Sequence, residues 1–146
     1  MRGSIRCWFM IAALCCVAMF AADSAPLQMA DREPGYDSIK GQSLYIANCS
    51  ACHQSTGEGL PGAFPPLKGS NVVNKDDASK HIQVILNGMK GGRVGGMIYV
   101  APMPPFAGAL SDTAIADIID YERSSWGNHG KPVTEALVAA ERARPK

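Results

Sequence analysis

The sequence predicts an all-α domain of three main helices joined by long loops. Three segments, beginning near residues 37, 77 and 111, place apolar residues at helical spacing behind side chains that cap helices well. Two stretches between them, 57–70 and 88–110, hold too much Gly and Pro for a helix or a central strand. No alternation of apolar and polar residues is long enough to predict a sheet.

The first helix is expected to begin near Asp37 or Ser38, because either side chain can accept hydrogen bonds from the free N–H groups of a first turn. It is expected to run as far as residue 49. The residues predicted for its inner face are Ile39, Tyr45, Cys49 and Cys52.

The second helix is expected over residues 77–87, with Asp76 as its cap and Gly88 as its stop. Its predicted inner residues are Ala78, Ile82, Ile85 and Leu86. This helix precedes the second Gly/Pro-rich loop.

The third helix is expected to begin after Ser111 and to end near residues 126–127. Its predicted inner residues are Ile115, Ile118, Ile119 and Tyr121. The tail from Thr134 to about Arg142 is expected to form a short extra helix that frays, with a docking element as the alternative.

The motif Cys49-Ser50-Ala51-Cys52-His53 is the attachment signature of c-type haem. In a helix the two cysteines lie one turn apart, so their sulfurs can bond the two vinyl groups of one porphyrin, and His53 can place an imidazole nitrogen on the iron. Thioredoxin-like pairs and zinc sites share the C-x-x-C spacing. The βαβ context of the first is absent, and a zinc site that recruits His81 and His129 fits no zinc-finger spacing.

The N-terminus predicts export. Arg2 and Arg6 precede an apolar run over 7–22, which is short of the ~20 residues of a transmembrane helix. Residues 1–25 are therefore expected to be a cleaved signal peptide, with an uncleaved membrane anchor as the alternative, and 26–36 a flexible leader. Covalent haem attachment follows export in bacteria, so the periplasm is the expected location.

The charge balance excludes partners that would be attracted mainly by a strong electrostatic field around the protein. The formal net charge of the chain is +1, and no basic cluster indicates nucleic acid or an anionic membrane surface.

Taken together, the residues resemble class I cytochrome c over about 38–127. The resemblance rests on Gly41, Tyr45, Cys49-x-x-Cys52-His53, Pro65-Pro66-Leu67-x-Gly69, Met103-Pro104 and the helix with Ile118 and Tyr121. It is closest to small bacterial monohaem cytochromes that serve periplasmic dehydrogenases. The resemblance implies a class I cytochrome c fold over 37–130, packed around one covalently bound haem c, and a C-terminal extension over 131–146.

The same resemblance implies the cofactor contacts. Cys49 and Cys52 would hold the haem, the Pro65 carbonyl would bind the second ring nitrogen of His53, and Leu67 would pack against the porphyrin. Tyr99 is the favoured hydrogen-bond donor to a propionate, with Arg93 and Trp126 as alternatives. Gly41 would permit a close crossing by the last helix, beside Tyr121.

Met103 is the predicted sixth iron ligand, because Pro102 and Pro104 restrict the backbone that aims its thioether. Met97 and Met89 lie in Gly-rich surroundings without such prolines. His81, which is expected to be a half-exposed surface histidine, is a weaker candidate for this position, and an open sixth position is a further possibility.

The predicted function is one-electron transfer between a periplasmic dehydrogenase-type donor and a respiratory acceptor, such as a cytochrome oxidase or another cytochrome, with no catalytic residue and no small-molecule substrate. A haem subunit bound permanently to a dehydrogenase and an open-site protein that binds gas or peroxide are the alternatives. The apolar segments 60–63 and 104–106 are expected to surround the exposed haem edge, so partner kinetics should depend only modestly on salt.

Overall fold

The computed structural model describes residues 37–145. It contains six helices and two strands: α1 Ser38–Asn48, α2 Ser50–His53, α3 Asn71–Asn74, α4 Ser79–Asn87, β1 Gly92–Val94, β2 Met97–Tyr99, α5 Asp112–Ser124 and α6 Glu135–Arg142. The mostly helical fold class is confirmed. No helix within these described residues is long and apolar enough to cross a membrane. The predicted signal peptide and leader lie outside them.

The crossing of α1 and α5 closes the fold. Asp37 caps α1, since its Oδ1 accepts hydrogen bonds from the N–H groups of Ile39 at 3.0 Å and Lys40 at 3.1 Å. Gly41 is buried against α5, where a Cβ would overlap the carbonyl oxygen of Asp117 and lie 3.1 Å from Tyr121 Cβ. Only a glycine therefore permits this close approach of the two helices.

The prediction that Ile39 lies on the inner face of α1 is wrong, because its side chain is 77% exposed. The buried stripe of α1 runs through Gly41 and Tyr45, which are four residues apart. Ile39 precedes Gly41 by two residues and therefore lies on the opposite side of the helix.

The hydrophobic core lies between α4, α5 and α6. The four inner residues predicted for α4 are all buried, as are Ile115 and Ile119 of α5. Gly88 ends α4 with a φ of 70°, as predicted. The helix begins two residues later than expected: Asp77 accepts a hydrogen bond from the N–H of Ser79 at 2.9 Å, while Asp76 forms an ion pair with Lys131 instead of capping the helix.

The loop over 88–110 contains a hairpin that was not predicted. The strands β1 and β2 pair in antiparallel register, with Gly92 opposite Tyr99 and Val94 opposite Met97. Gly95 and Gly96 form the turn with φ values of 57° and 87°. Strands of three residues are too short to show the alternation from which a sheet is predicted.

The C-terminal tail forms the predicted helix, α6. Thr134 caps it by accepting a hydrogen bond from the N–H of Leu137 at 3.2 Å. Val138 is fully buried in the core. The expectation that this helix frays is therefore wrong, because its inner face packs against α4 and α5.

Candidate functional site

The two cysteines of the motif lie at the junction of α1 and α2. Cys49 accepts a hydrogen bond at its carbonyl from the N–H of His53 at 2.9 Å, so one helical turn joins the first cysteine to the histidine. Cys49 and Cys52 are half-buried and form no disulfide within residues 37–145, and both line the same cavity as His53. Burial, followed by the nearby Glu122 carboxylate, raises the pKa of the Cys49 thiol.

The chain folds back over His53 immediately after the motif. Gly57 accepts hydrogen bonds at its carbonyl from the N–H groups of Leu67 at 2.8 Å and Lys68 at 2.9 Å. Gly59, at a φ of 63°, donates its N–H to the His53 carbonyl at 3.0 Å. A Cβ on Gly59 would stand 2.7 Å from the Pro65 carbonyl oxygen, so this glycine makes room for that carbonyl.

The Pro65 carbonyl fixes the tautomer of His53. Its oxygen lies 2.9 Å from Nδ1 of the ring. Because a carbonyl oxygen only accepts, Nδ1 carries the proton, and Nε2 keeps a lone pair that no hydrogen bond within residues 37–145 occupies. His53 is 8% exposed and lines the cavity. This is the arrangement that an imidazole ligand of iron requires.

The cavity has a volume of about 1180 Å³, including its open mouth. Its walls are mainly apolar and come from the motif, the loop after it, α4, the hairpin, the segment around Met103 and α5. Lining residues include Leu67, Val73, Ile85, Tyr99, Phe106 and Ile118. Together with the two thiols and the free His53 nitrogen, this lining fits a covalently attached porphyrin.

Two methionines line the cavity, Met103 and Met89. Their backbones pair: the Met89 N–H donates to the Met103 carbonyl at 3.0 Å, and the Met103 N–H donates to the Met89 carbonyl at 2.8 Å. Met97 is absent from the lining and is 48% exposed. The structure therefore brings Met103 to the cavity with His53, and Met89 is the other methionine of the lining.

His81 differs from the expectation drawn from the sequence. It is 3% exposed rather than half-exposed, and its Nε2 lies 2.7 Å from Oε2 of Glu122 on α5. Glu122 is also 3% exposed, and both residues line the cavity. This pair was not predicted, because His81 lies beside the apolar stripe of α4 and only the tertiary fold supplies its buried carboxylate.

The three candidate propionate donors have different surroundings. Tyr99 is 7% exposed and lines the cavity. Trp126 donates its Nε1–H to the Ser55 carbonyl at 3.0 Å and packs against Tyr45, with ring centroids 5.1 Å apart. Arg93 donates to the Gly96 carbonyl at 2.6 Å. Of the three, Tyr99 alone is in the lining.

Asn128 supports the loop beside the cavity, a role that was not predicted. Its Oδ1 accepts hydrogen bonds from the Gly69 N–H and from Asn74 Nδ2, both at 2.8 Å. Its Nδ2 donates to the carbonyls of Leu67 at 3.1 Å and Glu122 at 2.8 Å. It thus ties the loop that carries Leu67 to the end of α5. An asparagine that directly follows a glycine gives no sequence signal of such a role.

Comparison with known proteins gives a consistent result. The model of the cytochrome c family matches residues 38–126. Cytochrome c-552 of Thermus thermophilus is 39% identical over 95 residues, which are 62% of this chain and 71% of that protein.

Two further relatives are parts of larger enzymes. The cytochrome c subunit of alcohol dehydrogenase (quinone) from Gluconobacter oxydans (strain 621H) is 33% identical over 96 residues, which are 66% of this chain. The gluconate 2-dehydrogenase cytochrome c subunit of Pantoea cypripedii is 32% identical over 103 residues, 70% of this chain. The chain spans 20% and 23% of the lengths of these two subunits. Among solved structures, the c-type cytochrome XoxG from Methylobacterium extorquens AM1 covers 72% of this chain and 65% of its own, at 20% identity and a TM-score of 0.43.

Proposed function

The chain belongs to the cytochrome c family and carries covalently bound haem c, and from that premise we propose that it is a one-electron carrier in which His53 and Met103 would bind the iron. Cys49 and Cys52 would form the two thioether bonds. The observation that carries the proposal is that all four residues line one apolar cavity.

The chain's own residues would hold and orient the cofactor. When bound, haem c supplies an iron that takes up and gives up one electron. Pro65 orients the His53 ring through the Nδ1–H bond and increases the basicity of Nε2. A thioether from Met103 would favour the ferrous state and would raise the reduction potential relative to a second histidine. Leu67 and Ile118 exclude water from the cavity, and Tyr99 is the proposed donor to a propionate.

We infer that the protein does not itself catalyse a substrate reaction. Residues 101–106 hold no acid or base of the kind that peroxide chemistry needs. Two further titratable residues of the lining, His81 and Glu122, are hydrogen-bonded to each other.

A partner would meet an apolar, weakly charged surface beside the cavity. The N–H groups of Val100 and Ala101 donate to the carbonyls of Gly62 and Ala63 at 3.1 and 3.3 Å, which joins the two neighbouring loops. Exposed apolar side chains on these loops include Leu60 at 51% and Val100 at 74%. We propose a transient contact there with a periplasmic dehydrogenase-type donor and a respiratory acceptor, after export of the chain. Rates with such partners should change less than about threefold between low and physiological salt.

The test of the ligand assignment is an optical spectrum of haem-loaded Met103→Ala and Met89→Ala variants. The oxidised wild type should show the absorption band typical of a methionine–iron bond, and its reduced form should not respond to carbon monoxide. Met103→Ala should lose the band and bind carbon monoxide, whereas Met89→Ala should keep the wild-type spectrum. A spectrum unchanged in Met103→Ala and altered in Met89→Ala would transfer the ligand role to Met89.

A second candidate, a haem subunit bound permanently to a dehydrogenase, is favoured by the names of two relatives, which are dehydrogenase cytochrome subunits. Size-exclusion chromatography of the native protein at low and high salt separates the two candidates. A diffusing carrier elutes at the mass of a single chain in both conditions. A permanent subunit co-elutes with dehydrogenase activity in both.

A further inference from the structure

The segment that follows Met103 caps the C-terminal end of α4 through hydrogen bonds. The N–H groups of Phe106 and Ala107 donate to the carbonyls of Ile85 at 3.0 Å and Leu86 at 3.2 Å. These carbonyls belong to the last turn of α4, where no intrahelical donor reaches them. Residues 103–107 thus satisfy the end of α4, and Met103 is fixed on the cavity side of the same connection.

Arg142 of α6 holds the other side of this segment. Its Nη2 donates to the Leu110 carbonyl at 2.9 Å, and its Nη1 makes a short hydrogen bond to the Ala107 carbonyl. Its Nε donates to Oδ1 of Asp112, in the first turn of α5, at 2.7 Å. One planar guanidinium therefore joins the turn over 107–110 to the start of α5.

The helix that carries Arg142 is itself anchored. Val138 is fully buried in the core, and Gln83 of α4 donates its Nε2–H groups to the carbonyl and to the Oε2 of Glu141, both at 2.7 Å. Because α6 is fixed to α4 immediately beside Arg142, the guanidinium contacts the segment from a stationary position.

We propose that Arg142 is a positioning residue for the haem site, which keeps the segment 103–110 closed and thereby keeps the Met103 thioether at the iron. The inference rests on the proposed ligand role of Met103. It gives the C-terminal helix, which lies beyond the family match at 38–126, a function in the site.

The physical argument concerns how the sixth position opens. With Met103 bound to the iron, a small ligand from solution would reach the metal only after the thioether had left, and the thioether would leave most readily when the segment moves away from α4 and α5. Hydrogen bonds from a charged donor are stronger than neutral ones, so the loss of the two that Arg142 makes to the segment should raise the population of the open segment at least tenfold. The pairing of Met103 with Met89 remains in such a variant and retains part of the closed state.

The experiment measures the rate of imidazole binding to the oxidised, haem-loaded protein, together with global unfolding by urea. Arg142→Ala should bind imidazole at least tenfold faster than the wild type. Arg142→Lys, which keeps the charge but loses the planar fork, should fall between the two. Arg144→Ala is the matched control, because Arg144 lies two residues away in the chain and its side chain bonds Glu141 rather than the segment. Its rate should stay within twofold of the wild type.

Two results would overturn the proposal. The first is a lowered resistance to urea in Arg142→Ala with an imidazole rate within twofold of the wild type, which would make the contact a stability element alone. The second is an equal acceleration in Arg144→Ala. If Arg142→Ala does not yield haem-loaded protein, Arg142→Lys takes its place. Its imidazole rate and its resistance to urea are then compared with those of the wild type and of Arg144→Ala. Failure of the ligand assignment is distinguishable, because it appears as an unchanged spectrum in Met103→Ala.

Discussion

The buried carboxyl of Asp120 makes the stability of this protein depend on pH in a direction opposite to that of most carboxylates. Asp120 is 6% exposed on α5, and its Oδ1 accepts a hydrogen bond from the Val133 N–H at 2.6 Å. Burial raises the pKa of this carboxyl to about 6, against the lowering effects of the Val133 bond and of the Arg123 charge. The carboxyl is therefore charged at neutral pH at a cost to the folded state.

The sign follows from proton binding in the two states. Between the ordinary pKa of 3.8 and about 6, the folded chain holds a proton that the unfolded chain has already lost. The free energy of unfolding should therefore fall as the pH rises through this window. The rise in the pKa corresponds to a loss of about 3 kcal/mol in the free energy of unfolding once the carboxyl is charged. Solvent screening at the edge of the group reduces this loss to about 2 kcal/mol.

The perturbation is Asp120→Asn, since the amide oxygen can still accept the Val133 bond while the charge is removed. Urea unfolding followed by circular dichroism from pH 3.5 to pH 7.5 gives the free energy of unfolding for both proteins. The variant should be about 2 kcal/mol more stable than the wild type at pH 7, and the difference should vanish near pH 3.5. Asp76→Asn, at an exposed ion pair whose Lys131 partner lowers the pKa of the carboxyl, should show no such gain at pH 7. An Asp120→Asn difference that is independent of pH would refute the reasoning.

Two substitutions test the packing that supports the site. Gly41→Ala should gain about 1 kcal/mol of helix propensity and lose more than that to the displaced Asp117 carbonyl, for a net destabilisation of about 1–3 kcal/mol in urea unfolding. Gly108→Ala, where an added Cβ meets no atom within 4 Å, is its control and should stay within about 0.5 kcal/mol of the wild type. Asn128→Ala should cost about 2–4 kcal/mol and lower the thermal midpoint of the haem-loaded protein, because it leaves the Leu67 carbonyl without its buried donor. A loss below about 1 kcal/mol in the free energy of unfolding would contradict the role of Asn128 in joining the Leu67 loop to α5 by hydrogen bonds.

Features coded by neighbouring residues were predictable from the sequence. Asp37 caps α1 and Gly88 ends α4 because capping depends on a side chain and a backbone angle within one turn. The attachment motif is equally local, since its chemistry needs two cysteines and a histidine within five residues. The family resemblance added Gly41 and Pro65, whose partners Asp117 and His53 lie outside their own turns of the chain.

Features that depend on tertiary neighbours were missed or misassigned. Ile39 is apolar and is nevertheless exposed, since the position of α5 decides which stripe of α1 is buried. His81 could not be recognised as buried without Glu122, which follows it by 41 residues. In the sequence Arg142 is an ordinary charged residue near a helix C-terminus. Only the fold places the carbonyls of Ala107 and Leu110 beside its guanidinium.

The crossing at Gly41 also bears on the order in which the protein matures. The two helices that meet there lie roughly 75 residues apart in the chain, and closing a loop of that length costs on the order of 4 kcal/mol of entropy. The attachment motif directly follows α1, so it leaves the ribosome before α5 has been made to cover it. Until α5 docks, one wall of the cavity is missing and both thiols would be accessible for attachment to a porphyrin. Chain order therefore favours thioether formation before helix docking, and the last helices would then close around the attached cofactor.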